Sequence, residues 1–218
     1  MRFATYNIRH GQGVASLPWL PRTARAMAGL QADAIAVNEV YDWWGPLRQP
    51  DRLAKMLGMN MLFQANTVHG PAKYGNAILS KWPLSLRLDL KLPTHHEPRG
   101  SLVADLEVGA LTACFAVTHL ALHRETRAQQ VATMARELPR GVPLVLAGDF
   151  NASIGELGPL LEFLSAVPDA PNTYPSVRPL VTVDHILFSE HWMLRGSGVV
   201  RSLASDHLPV YADLELVR

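Results

Sequence analysis

Two short polar clusters flank apolar runs in this chain. Gly148-Asp149-Phe150-Asn151 follows the apolar run 142–147, and Ser205-Asp206-His207 lies close to the C-terminus, before the last one. A carboxylate and a carboxamide two residues apart, delivered by a strand, stand on a rigid mount. α/β proteins build hydrolytic sites this way, with polar groups at strand ends aimed into a crevice. Asn7, Glu39, His119 and Asp184 also fall at or near the ends of expected strands. Each alone has a bland reading, since Asn and Asp after a strand also form Asx-turns and helix caps. The carboxylates carry more information. Glu39 follows the run 34–37 with one residue between, and Asp184 lies inside the run 181–188. A carboxylate in such a place is costly unless it is paired or coordinates a cation. Hard oxygen donors without a thiolate partner point to Mg²⁺ or Mn²⁺ and away from structural zinc, and the histidines lack zinc-motif spacing. Amide and imidazole donors beside such an ion suit a phosphate oxyanion.

These groups need elements to hold them. Residues 3–8 read as a strand followed by a glycine-containing loop, and helical spacing of Leu20, Ala24, Met27, Ala28 and Gln31 predicts a helix from about Pro21. The run 34–37 predicts a buried strand ending at Asn38-Glu39. Residues 51–57 predict a helix with Asp51 as N-cap and Gly58 as stop. Five β-like stretches follow, at 61–64, 75–80, 84–90, 101–107 and 111–119, the last two joined by a tight hairpin turn at Gly109. Residues 124–138 form the clearest helix, with Val131, Met134, Ala135 and Leu138 on one stripe. A strand at 142–147, a helix near 158–164, a Pro- and Asp-rich loop at 167–179 and strands at 183–188, 193–200 and 207–216 complete the chain. Both halves run strand, polar end, helix, strand, polar end, and no linker separates them. The expectation is one α/β domain over residues 1–218, with two packed mixed sheets covered by helices.

Composition narrows the function classes. With 48% apolar and 18% charged residues among 218, the chain is compact and not disordered. A net charge of +1 argues against an electrostatic grip on a long polyanion. The single cysteine, Cys114, lies in an apolar run and reads as a small buried hydrophobe, so no disulfide framework is expected. The N-terminus lacks the apolar core of a signal peptide, and no stretch approaches membrane-span length. A soluble, monomeric, cytoplasmic protein is the expectation.

Eight motifs occur in a telling order: Thr5-Tyr6-Asn7-Ile8, Asn38-Glu39-Val40, Gly75-Asn76-Ala77-Ile78-Leu79-Ser80, Glu97-Pro98-Arg99-Gly100, Thr118-His119-Leu120, Gly148-Asp149-Phe150-Asn151, Val183-Asp184-His185-Ile186-Leu187 and Ser205-Asp206-His207-Leu208-Pro209-Val210. Together they resemble the endonuclease/exonuclease/phosphatase superfamily, which includes DNase I-like nucleases, abasic-site endonucleases, sphingomyelinases and inositol-polyphosphate phosphatases. The resemblance spans the whole chain. It implies a four-layer α/β sandwich and a metal-dependent phosphoester hydrolase. Motif by motif, it implies Glu39 as principal Mg²⁺ ligand with Asn7 beside it, and Asp206 as a further metal or water ligand. Asp149 would orient or deprotonate the attacking water, and Asn151 would donate to a phosphate oxygen. His207 would contact the scissile phosphate, its other nitrogen held by Asp184. His119 would lie on the leaving-group side, with Glu97 as its carboxylate partner. Arg99 has two readings, positive charge for a phosphate or an exposed salt bridge.

One departure stands at Asn38, where many members carry Gln; the shorter side chain puts any contact made there in question. The chain is also short for the superfamily and leaves little room for duplex-gripping insertions. A small or lipid-like phosphoester is therefore the favoured substrate, with a DNA or RNA nuclease using the same site as the alternative. A catalytically silent binding module ranks last, because every expected position is filled. Residues 41–46, with Trp43 and Trp44, should rim the crevice, one Trp being more expected in the core. Lys73 and Tyr74 are candidates to face the phosphate, and His95 and His96 to reach the site or decorate a loop.

Overall fold

The computed structural model of the protein describes residues 1–14, 17–43 and 48–217. Twelve strands form two six-stranded sheets among these residues. The first contains β1 (Arg2–Asn7), β2 (Ala34–Asp42), β3 (Asn60–His69), β4 (Ala72–Ser80), β11 (Trp192–Val199) and β12 (Val210–Leu216), in the order β11-β12-β1-β2-β4-β3. The second contains β5 (Leu84–Leu92), β6 (Arg99–Val108), β7 (Leu111–His119), β8 (Leu144–Asp149), β9 (Ser165–Ala166) and β10 (Asp184–Phe188), in the order β5-β6-β7-β8-β10-β9. Each sheet has one central parallel pair, β1–β2 and β7–β8, and antiparallel pairs elsewhere. The parallel pairs are bridged by helices α1 (Leu20–Gly29) and α3 (Arg124–Glu137). Helix α2 (Gln49–Leu57) joins α1 on one outer face, and the short α4 (Gly158–Leu161) joins α3 on the other. The result is the expected four-layer sandwich.

Period-two alternation explains why the central strands read as unbroken apolar runs. Phe3, Ala34, Ala36, Val145 and Ala147 point between the sheets, where they meet Ile78, Phe115, Val117 and Ile186. Their neighbours Ala4, Tyr6, Ile35 and Val37 face α1 and α2 through Leu20, Met27 and Leu53. Leu144 and Leu146 face α3 and α4 through Val131, Met134 and Leu160. Both faces of these strands are covered, so both residue sets are apolar. Cys114 is buried on that second outer face; its thiol donates to Asp105 Oδ1 at 3.3 Å, and burial pushes it up to about 12.

Several element ends differ from expectation. Helix α2 starts at Gln49, two residues before Asp51, because Pro50 fits the first turn, where its missing N–H costs nothing. Asp51 instead pairs with Arg48 at 2.8 Å. Strand β2 does not end at Asn38-Glu39 but runs on to Asp42. Strand β12 begins at Val210, after Pro209, so Asp206 and His207 lie in the preceding turn and do not open the strand. The Gly109 turn joins β6 to β7 as expected, with φ +63° at the glycine. No helix of the described residues is long and apolar enough to cross a membrane.

Candidate active site

Parallel pairing sets the polar residues side by side. Asn7 at the end of β1 lies opposite Asn38 at the bulge within β2, and His119 lies opposite Asp149 at the ends of β7 and β8. Antiparallel β10 adds Asp184 opposite Asp149. The sheets pack so that the two pairs face each other, and Asn38 joins them. Its Nδ2 donates to Thr118 O at 2.8 Å and Asn76 Oδ1 at 2.9 Å, and its Oδ1 accepts from the Asp149 N–H at 2.9 Å. The short side chain at this position therefore bonds through both amide hydrogens and its oxygen while wholly buried.

Two backbone features aim the carboxylates. Between Val37 and Val40 the β2–β4 register slips, and Glu39 adopts φ +58° within this bulge. Positive φ is uncommon for a residue with a side chain, and bulges re-aim side chains beside functional sites. Buried Asn38 turns toward the second sheet, while Glu39 opens to solvent beside it. Before Asp149, Gly148 lies against the Thr118 carbonyl so closely that a Cβ there would collide with it. Glycine is what lets β8 approach β7 at this point.

The resulting cleft has a volume of about 810 Å³ and is lined by Glu39, Tyr74, Glu97, Arg99, His119, Asp149, Asn151, Asp206 and His207 among others. Asp149 is its hub. Asp149 Oδ2 accepts from Asn7 Nδ2 at 3.0 Å and lies 3.4 Å from His119 Nε2 and 3.7 Å from His207 Nε2. Asp149 Oδ1 accepts the Asn151 N–H at 3.0 Å, and Asn151, at φ +48°, uses one side-chain hydrogen on Leu120 O. His207 Nδ1 donates to Asp184 Oδ2 at 2.9 Å.

Electrostatics separate the three central groups. Burial, then repulsion from Asp184, raises the Asp149 carboxyl to about 7, against the pull of His207 and the Asn7 hydrogen bond. Burial alone would lower His207, but the Asp184, Asp149 and Asp206 carboxylates outweigh it and lift the imidazole to about 10. His119 is held well below the ordinary histidine value by burial, and then by the positive charges of Arg99, His207 and His10. Groups pushed apart in this way divide acid and base roles among themselves.

The donor set fits a hard divalent cation. Glu39 Oε1 and Asp149 Oδ2 both turn to the single Asn7 Nδ2, at 3.0 Å each, and Glu39 Oε2 has His10 Nε2 3.5 Å away. Carboxylates drawn together this way are stabilised by positive charge. Glu39 and Asp206 both line the cleft with carboxylate oxygen, the donor type such an ion prefers, and Asp206 Oδ2 lies 3.5 Å from Arg9 Nε. Asn7 turns its amide nitrogen, not its oxygen, to the carboxylates; its Oδ1 accepts the Arg9 N–H at 3.0 Å. It serves here as a donor between acids. Asp149, Asp184 and His207 also form a compact group, with ligand-type atoms within 4.8 Å of one another. The His207–Asp184 hydrogen bond and the pairing of Asp149 with Asp184 across β8 and β10 account for that closeness.

Two expectations need correction. Glu97 is not the direct partner of His119: its carboxylate binds Arg99 Nη2 at 3.0 Å, and Arg99 Nη1 contacts His119 Nδ1 at 2.9 Å. Arg99 is not an exposed salt bridge either, because as the first residue of β6 it is 7% exposed. Tyr74 lines the cleft beside His10, and burial, then the Glu39 charge, raises its hydroxyl. Lys73, His95 and His96 are exposed and do not line the cleft. Trp43 is 45% exposed, hence not core, and lines a neighbouring depression; Trp44 lies outside the described residues. Sequence reasoning passed over His10, Thr67, His69, Leu122 and Tyr174, all of which line the cleft. His10, three residues after Asn7, carried a positional signal. Tyr174, whose ring lies 4.9 Å from that of His207, comes from the Pro-rich loop and carried none.

A model of the endonuclease/exonuclease/phosphatase family matches residues 4–207. The uncharacterized protein YbhP of Escherichia coli (strain K12) is 25% identical, over 90% of this chain and 88% of its own length. An endonuclease/exonuclease/phosphatase from Beutenbergia cavernae DSM 12333 superposes with a TM-score of 0.82 at 23% identity, over 99% of this chain and 71% of that one. The mannosyl-6-phosphatase Bt3783 of Bacteroides thetaiotaomicron VPI-5482 superposes with a TM-score of 0.76 at 15% identity, over 99% of this chain and 100% of that one. At such identities the structural likeness speaks for the fold.

Proposed function

The chain belongs to the endonuclease/exonuclease/phosphatase family, and on that premise we propose that it hydrolyses phosphoester bonds with Mg²⁺ or Mn²⁺, as a phosphodiesterase or phosphatase on a small or lipid-like substrate. The observation that carries this reading is the hub at Asp149: a buried carboxyl held between two imidazoles, with Glu39, Asp206 and Asn151 on the same cleft.

Bound at Glu39 and Asp206, the cation would supply Lewis-acid charge for a phosphate oxygen. Asp149, a carboxyl raised by burial and set between two imidazoles, suits the removal of a proton from the attacking water. His207, kept protonated by Asp184, and the free side-chain hydrogen of Asn151 stabilise the charge that builds on the non-bridging oxygens. Water is the nucleophile, so no covalent enzyme intermediate is needed. Among the described residues lining the cleft, lysine and arginine are represented by Arg99 alone, which favours a compact phosphoester over a long polyanion. The likeness to a mannosyl-6-phosphatase supports including sugar phosphates among the candidates.

The test is a screen of bis-p-nitrophenyl phosphate, p-nitrophenyl phosphate, sugar phosphates, phospholipids and plasmid with Mg²⁺ or Mn²⁺, with Asp149→Asn as control. The expected result is metal-dependent turnover of a small ester or lipid that the variant loses. Failure on every substrate class overturns the proposal, and nicking of plasmid alone moves it to the nuclease class.

A further inference from the structure

The β6–β7 ladder sets Ser101 opposite Thr118, so the first residues of β6 lie beside the last of β7. That register carries the Arg99 guanidinium onto His119. Its Nη1 lies 2.9 Å from Nδ1, and both side chains are buried. Arginine has five donors, no acceptor and a charge it does not lose in proteins. The contact is therefore a hydrogen bond only when Nδ1 carries a lone pair. A neutral imidazole of that kind has its proton on Nε2. Nε2 faces the cleft, 3.4 Å from Asp149 Oδ2, an acceptor whose presence is compatible with a proton on Nε2. Glu97 holds the other arm of the guanidinium from the cleft side.

The cleft thus contains two histidines of opposite kind. His207 gives its Nδ1 proton to a carboxylate at 2.9 Å, an arrangement that favours imidazolium. His119 receives a proton-bearing cation at Nδ1, which disfavours imidazolium, and burial acts in the same direction. We propose that Arg99 is a positioning residue that fixes His119 as the neutral Nε2–H tautomer, making His119 a hydrogen-bond donor to the phosphoester and not a proton-transferring acid. The role toward substrate rests on the phosphoester-hydrolase reading; the tautomer does not.

The test is a long-range ¹H–¹⁵N spectrum of histidine-labelled protein at pH 7, with the His119 signals assigned by their loss in His119→Gln. The expected pattern is an unprotonated Nδ1 and a protonated Nε2 for His119. Arg99→Met removes donor and charge at similar length. It is expected to abolish the single-tautomer pattern and to lower kcat about tenfold or more, the range for partners that orient a functional imidazole, with little change in KM. Guanidinium in the buffer should restore both, and Arg99→Lys should retain the pattern. A wild-type His119 with a protonated Nδ1 overturns the proposal whatever the activity, and needs no variant to fold. An Arg99→Met spectrum identical to wild type overturns it as well. The expected spectrum without hydrolysis of any phosphoester overturns the functional reading alone.

Discussion

The Asp149 carboxyl accepts hydrogen bonds from Asn7 and the Asn151 backbone, faces two imidazoles and lies in register with Asp184. Asp149→Asn keeps this shape and removes the base. It should lower turnover by roughly 10²–10⁴-fold, the usual contribution of a positioned base. The melting midpoint should hold or rise, because the charge it removes is costly to bury. Parallel rate and melting measurements check both halves; a variant with normal turnover would remove Asp149 from the mechanism. His185 gives a second residue-scale prediction. Burial lowers it below the ordinary histidine value, against the 2.8 Å bond between its Nε2 and Ala152 O. The unfolded chain, but not the folded one, then takes a proton as pH falls below about 6.5. Its contribution is therefore complete above that pH and declines below it. Urea midpoints at pH 7.5 and 5 should fall further for wild type than for His185→Gln; equal falls would contradict this.

At the scale of elements, the ends of strands decide the site. Glu39 occupies a bulge with φ +58°, a conformation glycine adopts without strain. Glu39→Gly should keep or raise the melting midpoint, and should lose the further rise that the account predicts on adding Mg²⁺ to the wild type. A variant that melts lower without metal would place the value of Glu39 in the fold. Gly148→Ala forces a methyl against the Thr118 carbonyl, so β7 and β8 must part. Overpacking of this kind costs about 1–3 kcal/mol, read from denaturant midpoints, and should weaken activity too, because His119 and Asp149 end those two strands. The central strands were legible in the sequence because two covered faces make continuous apolar runs. The bulge was not, since Asn38-Glu39 reads equally well as the end of a strand. Strand β3 extends to His69, beyond the expected Gln64, because it is an edge strand with a partly exposed face and a mixed sequence. The Arg99–His119 contact was hidden for another reason: it depends on the register between strands, which side-chain pattern does not report.

The whole molecule is built on a repeat. From β11 to β3 and from β5 to β9, both sheets run antiparallel, antiparallel, parallel, antiparallel, antiparallel. Each repeat gives the cleft polar residues of its parallel pair, Asn7 with Glu39 at the β2 bulge and His119 with Asp149 at the ends of β7 and β8. The order of strand, polar end and helix was visible in the chain, and eight ordered motifs made the family legible. The buried Asn38 clamp that locks one repeat onto the other emerged only with the fold. The central claim is that this cleft hydrolyses phosphoesters with a divalent cation held by Glu39 while Asp149 acts on the water. The most direct measurement is the Mg²⁺ and Mn²⁺ dependence of bis-p-nitrophenyl phosphate and p-nitrophenyl phosphate hydrolysis by wild type, Glu39→Gln and Asp149→Asn. The account predicts turnover only with metal, and a loss of roughly 10²-fold or more in each variant, with both still folded. Equal turnover in the presence of a chelator, or unimpaired hydrolysis by either folded variant, would contradict it.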